Sequence, residues 1–439
     1  MEAAQQAVPM RRIWSFFLPL GLSASLVTIS HVIINSTLTR AVDPERVIAS
    51  YAIAMSLLTI TERPAVLLRQ TCSALVRDRR SFQSMLAVAL LVFASILALG
   101  MLICYTPLGA WIFGGVFGVQ GDALDAVIRV YQVLMFVSLF SGLRCVYHGV
   151  IIYHLRTKWL TIGMGLRLLG MYALSQYFIH TGVTSGTVGA MIFLLGMMIE
   201  AAVSYAEGRQ LVKRMPERSD EHEVKGKRHI FGFYRPLLMS TLITVWIIPV
   251  INAMLGKTWN AELAIASFAV AASVVGLLTS FFSYFHQIVL NFYRIDPQAV
   301  RRFTLMIGFL PCLLLMTIAY TPIGDFLLGS VIGVEGELRS QSLQTLRAFV
   351  LLTLVMPWLD ALNGLIMVRG QTRLIFSSQA VNLTFTVLTL LTLLWLFPHL
   401  NGSIGAWAQS IGMAAELGFV ALALRRIRPM DTVLAGKAR

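Results

Sequence analysis

The segment Ile13–Ser23 reads IWSFFLPLGLS, and IFGFYRPLLMS stands 230 − 13 = 217 positions later. In that register Pro19 answers Pro236, Ser23 answers Ser240 and Asn35 answers Asn252. IASYAIAMS from Ile48 returns as IASFAVAAS from Ile265, and Gln70 and Arg77 fall on Gln287 and Arg294. YTPLGAWIFGGVFGVQG from Tyr105 reappears as YTPIGDFLLGSVIGVEG from Tyr320, at 320 − 105 = 215. Gly186, Gly189, Ala190, Gly196 and Glu200 correspond to Gly402, Gly405, Ala406, Gly412 and Glu416 at an offset of 216. A period this long is a half-protein rather than a solenoid repeat, so the chain must fold as two versions of one unit. The expected organisation is an N-terminal half over 1–207, a polar linker over 208–229, and a C-terminal half over 230–439 that ends in a basic tail.

Each half is too apolar for water. Of 439 residues 57% are hydrophobic and 13% charged, with mean hydropathy +0.75, where soluble domains carry about 25% charge. Apolar blocks of spanning length, about 20 residues each, fall near 13–39, 48–76, 82–105, 126–152, 159–180 and 187–207. They recur near 230–256, 264–292, 303–320, 341–367, 374–397 and 403–424. Blocks this long and continuous suit helices, whereas a closed barrel needs short alternating strands. The fold class predicted is therefore an all-α integral membrane protein of about twelve transmembrane helices. Six spans per half is an even number, so both halves enter the membrane the same way. They form parallel six-helix bundles related by a pseudo-two-fold axis along the membrane normal.

The formal net charge of +14 is explained by orientation rather than by a nucleic-acid partner. Arg77, Arg79, Arg80, Arg156, Lys158, the linker, Arg294, Arg301, Arg302, Arg369, Arg373 and the Arg425–Arg428 tail all fall on one side of the spans, which the positive-inside rule makes cytoplasmic. Both termini are then inside, and a multi-pass plasma-membrane location is expected. The first apolar run is longer than a signal-peptide core and lacks a small-residue cleavage site, so it stays as the first span. Cys72, Cys104, Cys145 and Cys312 lie in or beside apolar runs and read as small buried hydrophobes. No metal-ligand spacing, nucleotide-binding motif or cofactor signature is present, and the eight histidines do not group into a catalytic cluster. An enzyme is not expected. The proline and glycines of the YTP and GV-x-G repeats predict turns with a short interfacial helix.

Charges within apolar spans carry the functional signal, because a charge in the bilayer is costly and must face a partner or a cavity. Span two reads ITERPAVLLRQTC, placing Glu62, Arg63, Arg69 and Gln70 in an apolar helix that Pro64 kinks. Arg63 and Arg69 are six residues apart, about 9 Å of helical rise, so both can line one path. Ser280, His286 and Gln287 complete that path from span eight. Arg144 and Cys145 in span four correspond to Leu359 and Asp360 in span ten, so Arg144 and Asp360 are candidates for a pair across a central cleft. Arg167 corresponds to Asn382. Two readings compete for these groups, a transport cavity and ion pairing for folding alone. Asn35 and Asn252 read as amides that join helices, and Glu200 and Glu416 as structural or gating carboxylates that snorkel at the cytoplasmic ends of spans six and twelve.

Two parallel six-span halves with charges lining an inferred cleft resemble the MATE-like multidrug, oligosaccharidyl-lipid and polysaccharide flippase superfamily. Within it, FFLPLGLS at Phe16–Ser23, IASYAIAMSL at Ile48–Leu57, SVIGVEGEL at Ser330–Leu338 with Leu346-Arg347 beyond, and the closing Gly-x-x-Gly-Ala…Glu pattern resemble the progressive ankylosis protein family. That resemblance implies outward movement of anionic metabolites such as pyrophosphate, nucleotides and citrate. The acidic run of the superfamily's cationic-drug antiporters is missing, and the inferred cavity is rich in arginine, whose planar fork suits phosphate and carboxylate. The expectation is a secondary active transporter that exports a small anionic metabolite by alternating access, with H+ or Na+ as a coupling ion. The alternatives are a flippase for a lipid-linked or amphipathic substrate, a multidrug exporter, and a non-transporting membrane scaffold.

Overall fold

The computed structural model of the chain describes residues 8–116, 119, 121–219, 224, 226–332 and 334–426. Phe117, Gly118, Gln120 and Gly333 of the repeated loop motif, linker residues 220–223 and 225, and Arg428 of the tail lie outside the described residues. Every apolar block is helical, as lipid requires of a segment that cannot satisfy its backbone polar groups from solvent. In the N-terminal half these are α1 (Met10–Leu38), α2 (Pro44–Thr61 continued by Arg63–Leu75), α3 (Arg79–Tyr105), α4 (Asp122–Tyr153), α5 (Lys158–Thr181) and α6 (Thr187–Arg214). The C-terminal half repeats them as α7 (Lys227–Leu255), α8 (Ala261–Phe281 continued by Phe285–Phe292) and α9 (Pro297–Ile307 continued by Leu310–Tyr320). It closes with α10 (Gly336–Ala348 continued by Val350–Val368), α11 (Arg373–Leu396) and α12 (Gly402–Arg426). Among the described residues no strand occurs.

Eleven of these helices are long and apolar enough to cross a membrane. The exception, α5, has the length at 24 residues, but Arg167, Ser175 and Gln176 make it less apolar. Helix breaks have local causes. Glu62 ends one segment of α2 and caps the next, where Pro64 cannot donate to the preceding turn. Thr106 and Thr321 each cap a short helix after α3 and α9, with Pro107 and Pro322 in its first turn. The YTP repeats thus form the short helices that their composition predicts.

The chain divides into two compact units, Trp14–Leu238 and Met239–Arg439, the latter joined by the segment that ends at Ile13. Val8 N–H donates to Asp296 at 3.0 Å in the second unit, and Tyr234 O–H donates to the Pro64 carbonyl at 2.9 Å in the first. Helix α6 continues two turns into the polar run. The chain beyond it is pinned to the α2–α3 turn, where Ser219 N–H donates to Asp78 at 2.9 Å and Arg80 pairs with Glu217 at 3.0 Å.

In the first unit α4 packs on α2, α3 and α6, and α6 packs on α5; in the second, α10 packs on α8 and α12, and α12 on α11. The duplication extends to single contacts. A Cβ on Gly149 would lie 2.5 Å from Cys72 Cβ and 2.9 Å from the Arg69 carbonyl, so α4 crosses α2 at glycine. At Gly364, 364 − 149 = 215 positions on, a Cβ would meet Val289 Cβ at 2.8 Å and the His286 carbonyl at 2.9 Å. Val289 and His286 are the repeat counterparts of Cys72 and Arg69, both at an offset of 217.

Candidate functional site

The α2–α4 crossing and the close seam between α4, α5 and α6 bring charged residues from four helices into one interior region. Gly196 lets α6 approach α5 where a side chain would strike Met171 at 2.5 Å and Arg167 Cγ at 3.1 Å. One turn beyond it on α6, Glu200 is buried, with 2% of its side chain exposed. Arg167 of α5 donates to Glu200 Oε2 at 2.8 Å, and Arg144 of α4 donates to the same oxygen at 3.0 Å. His148, one turn past Arg144 on α4, places Nε2 4.0 Å from Glu200 Oε1. Arg69 of α2 lies within electrostatic reach of His148.

Arg144 extends the network toward the break in α2. Its Nη2 donates to Ser141 Oγ at 3.3 Å, and Ser141 donates to Glu62. Arg167 is only 1% exposed and lays its guanidinium 5.1 Å from the centre of the Phe193 ring, a cation–π contact that dispersed charge favours. Two guanidinium groups therefore converge on one oxygen of Glu200, and Arg144 reaches Glu62 through Ser141. Several donors are left over: Arg144 Nε, Arg167 Nε and Nη2, and both nitrogens of His148 make no hydrogen bond among the described residues. Buried donors of this kind are costly unless something meets them.

The C-terminal half treats the same positions differently. His286 of α8, the counterpart of Arg69, directs Nδ1 to Asp360 of α10 at 3.0 Å, and its backbone N–H donates to Asp360 at 3.0 Å. Glu416 of α12 is fully buried and accepts from Ser378 at 2.9 Å, Gln379 at 2.6 Å and Asn382 at 2.7 Å, all on α11. All three donors are neutral.

Of the residues marked from sequence, Arg69, Arg144 and Arg167 come together with Glu62 and Glu200, and His286 with Asp360. Asn382 joins Glu416. Arg144 and Asp360, expected to face each other, each have a partner in their own half. Glu200 and Glu416, expected to snorkel, do not reach the surface, because arginine or amide donors on the neighbouring helix hold them inside. Arg63 is exposed in the first turn after the break, and Gln70 is half-buried beyond it. Gln287 is buried beside His286, while Ser280 donates to the Leu277 carbonyl of its own helix at 2.7 Å. Asn35 is exposed and Asn252 half-buried, and among the described residues neither amide side chain bridges to another helix. Sequence reasoning missed His148, Ser141, Ser378 and Gln379. His148 had a readable signal, four residues after Arg144 on one helix face.

No family model matches the chain, and no curated protein matches it by sequence. Solved structures do match. The chain superposes on a MOP superfamily transporter from Pyrococcus furiosus with TM-score 0.74 at 15% identity, covering 96% of each chain. A multidrug resistance MATE family transporter of the MOP superfamily in an outward-facing conformation gives TM-score 0.73 at 15% identity over 99% of this chain and 98% of that one. A MATE transporter from Vibrio cholerae gives 0.72 at 15% identity, over 95% and 98%. The chain thus has the fold of the MATE-like transporters, and these neighbours are transporters rather than enzymes.

Proposed function

We propose that the chain is a secondary active transporter that exports a small phosphate- or carboxylate-bearing metabolite by alternating access, in the manner of the progressive ankylosis family. The observation that carries this reading is the convergence of two buried arginines, Arg144 and Arg167, on one oxygen of Glu200. An arginine at the bilayer centre costs about 2.5–3.5 kcal/mol on insertion scales, and here Arg144 and Arg167 are kept, with donors to spare among the described residues, rather than replaced by leucine. Forked guanidinium donors suit a multidentate oxyanion. The Pyrococcus furiosus neighbour is described as having a binding pocket of reverse polarity that suggests a different function, which supports a change of cargo charge on this fold. The proposed placement is a plasma membrane, with the basic loops inside and H+ or Na+ as the coupling ion.

One observation favours a second reading, export of a cationic drug: in the C-terminal half Asp360 pairs with His286 and buried Glu416 is held by neutral donors. Efflux from proteoliposomes separates the two. Labelled pyrophosphate and citrate should leave vesicles loaded with them, and Arg144→Gln should slow that efflux at least tenfold while protein yield holds. Efflux of a cationic dye that ignores Arg144→Gln and fails in Asp360→Asn would reverse the assignment. Absence of flux for every solute would favour a scaffold.

A further inference from the structure

At the end of the N-terminal half opposite its basic loops, the approach to α2, the first turns of α4 and the entry to α6 enclose a cavity of about 360 Å³. Arg46, Ser50, Arg129, Ser185 and Thr187 line it, together with Asp43. It lies at the far end of α4 and α6 from the Glu200 cluster, and the export reading makes no use of it.

The chemistry of the lining is basic. Asp43 is occupied as the cap of α2, where its side chain accepts from Arg46 N–H at 3.3 Å. Arg46 reaches Asp122 only at 3.8 Å, with 55% and 94% of the two side chains exposed, a pairing that solvent makes weak. Arg129 has no acidic partner among the described residues. Helix α6 also begins here, at Gly186, with no side-chain cap. A Cβ on Gly186 would lie 2.6 Å from Ser50 Oγ and 3.0 Å from the Val47 carbonyl, so the bare backbone of the α6 entry is held against α2.

The duplication supplies an internal control. In the C-terminal half Asn260 stands for Asp43 and caps α8 through Leu263 N–H at 3.1 Å. Ser267 stands for Ser50, Ser403 for Thr187 and Gly402 for Gly186, and Gly402 is packed against Ser267 and the Ala264 carbonyl as Gly186 is against Ser50 and Val47. The scaffold is kept. The arginines are not, for Leu263 stands at 46 + 217 and Gln344 at 129 + 215. One copy of the scaffold therefore folds without either guanidinium, so folding does not explain them.

We infer that Arg46 and Arg129 form an oxyanion-binding site in this cavity, for a ligand bearing a phosphate-type group, separate from the Glu200 cluster. Two forked donors lining one cavity, hydroxyls and an uncapped helix entry together suit such an anion. A free phosphate and the headgroup of an anionic phospholipid both offer it.

The decisive variant is Arg46→Leu with Arg129→Gln, which installs the residues of the other half. Titration calorimetry of the purified full-length protein in neutral detergent uses inorganic phosphate and pyrophosphate as probes. Native mass spectrometry compares retention of phosphatidylglycerol and phosphatidylcholine. Saturable binding of a free probe, weakened at least tenfold in the double variant, supports a soluble oxyanion ligand. Selective retention of phosphatidylglycerol, lost in the double variant, supports a headgroup. The same titrations are repeated in the Arg144→Gln background, where the Glu200 cluster is impaired: probe or lipid binding that persists there and is lost when Arg46→Leu and Arg129→Gln are added belongs to this cavity, so failure of the export reading and failure of this site are told apart. Equal behaviour of wild type and double variant toward all probes overturns the site. If the double variant does not fold, phenylglyoxal labelling of Arg46 and Arg129 in the wild type decides: protection by phosphate, pyrophosphate or phosphatidylglycerol supports the site, and full labelling in the presence of all three overturns it.

Discussion

Glu200 and Glu416 occupy the same place in the two halves, 416 − 200 = 216 residues apart, and both are buried on the last helix of their bundle. Their surroundings differ in charge. Glu200 is held by Arg144 and Arg167 with His148 close by, while Glu416 is held by a hydroxyl and two amides. Two substitutions separate them, Arg167 for Asn382 and Arg144 for Leu359, both at an offset of 215. Arg167 and Asn382 each reach the carboxylate from the neighbouring helix, so the helix–helix seam needs a donor and does not need a charge. A duplicated bundle thus tolerates charged donors around one carboxylate and neutral donors around its counterpart on one frame.

The comparison is broken most forcefully at Glu200. Glu200→Gln should destabilise the protein by about 3–5 kcal/mol, because it leaves two buried guanidinium groups without their counter-charge. Thermal unfolding in detergent should report a large loss; a variant as stable as wild type would mean that water or lipid already neutralises the cluster.

A symmetrical perturbation checks that the frame is shared. Gly149→Ala and Gly364→Ala each place a Cβ within 3 Å of a backbone or Cβ atom of the crossing helix, and each should cost about 1–3 kcal/mol. Similar losses are expected from the pair, and a strongly unequal result would show that one crossing relaxes where the other cannot.

Glu416→Gln should be the mildest. It exchanges a carboxylate for an amide among neutral donors, and the amide oxygen keeps part of the bonding, so about 1–2 kcal/mol is expected from the donor left over. The same thermal measurement as for Glu200→Gln gives the ordering, and a Glu416→Gln loss equal to that of Glu200→Gln would erase the distinction drawn between the halves.

Much of this molecule was legible without coordinates. The offsets of 215–217 and the twelve apolar blocks determined the helices and the residue pairs that correspond, because lipid leaves an apolar run of that length no alternative to helix. The same pattern located Arg69, Arg144, Arg167, His286 and Asp360 within spans and so marked them as costly. Partnership was not legible. Register and charge point Arg144 to Asp360, yet it meets Glu200, which lies 56 residues away on α6. The position of Glu200 along its helix suggests snorkelling, because nothing in the sequence shows that α5 delivers an arginine to it. Such meetings depend on how closely helices approach and how they are rotated, which Gly149 and Gly196 govern through contacts with residues remote in sequence. Periodicity determines which residues belong to the membrane; only packed helices decide which of their charges share an oxygen.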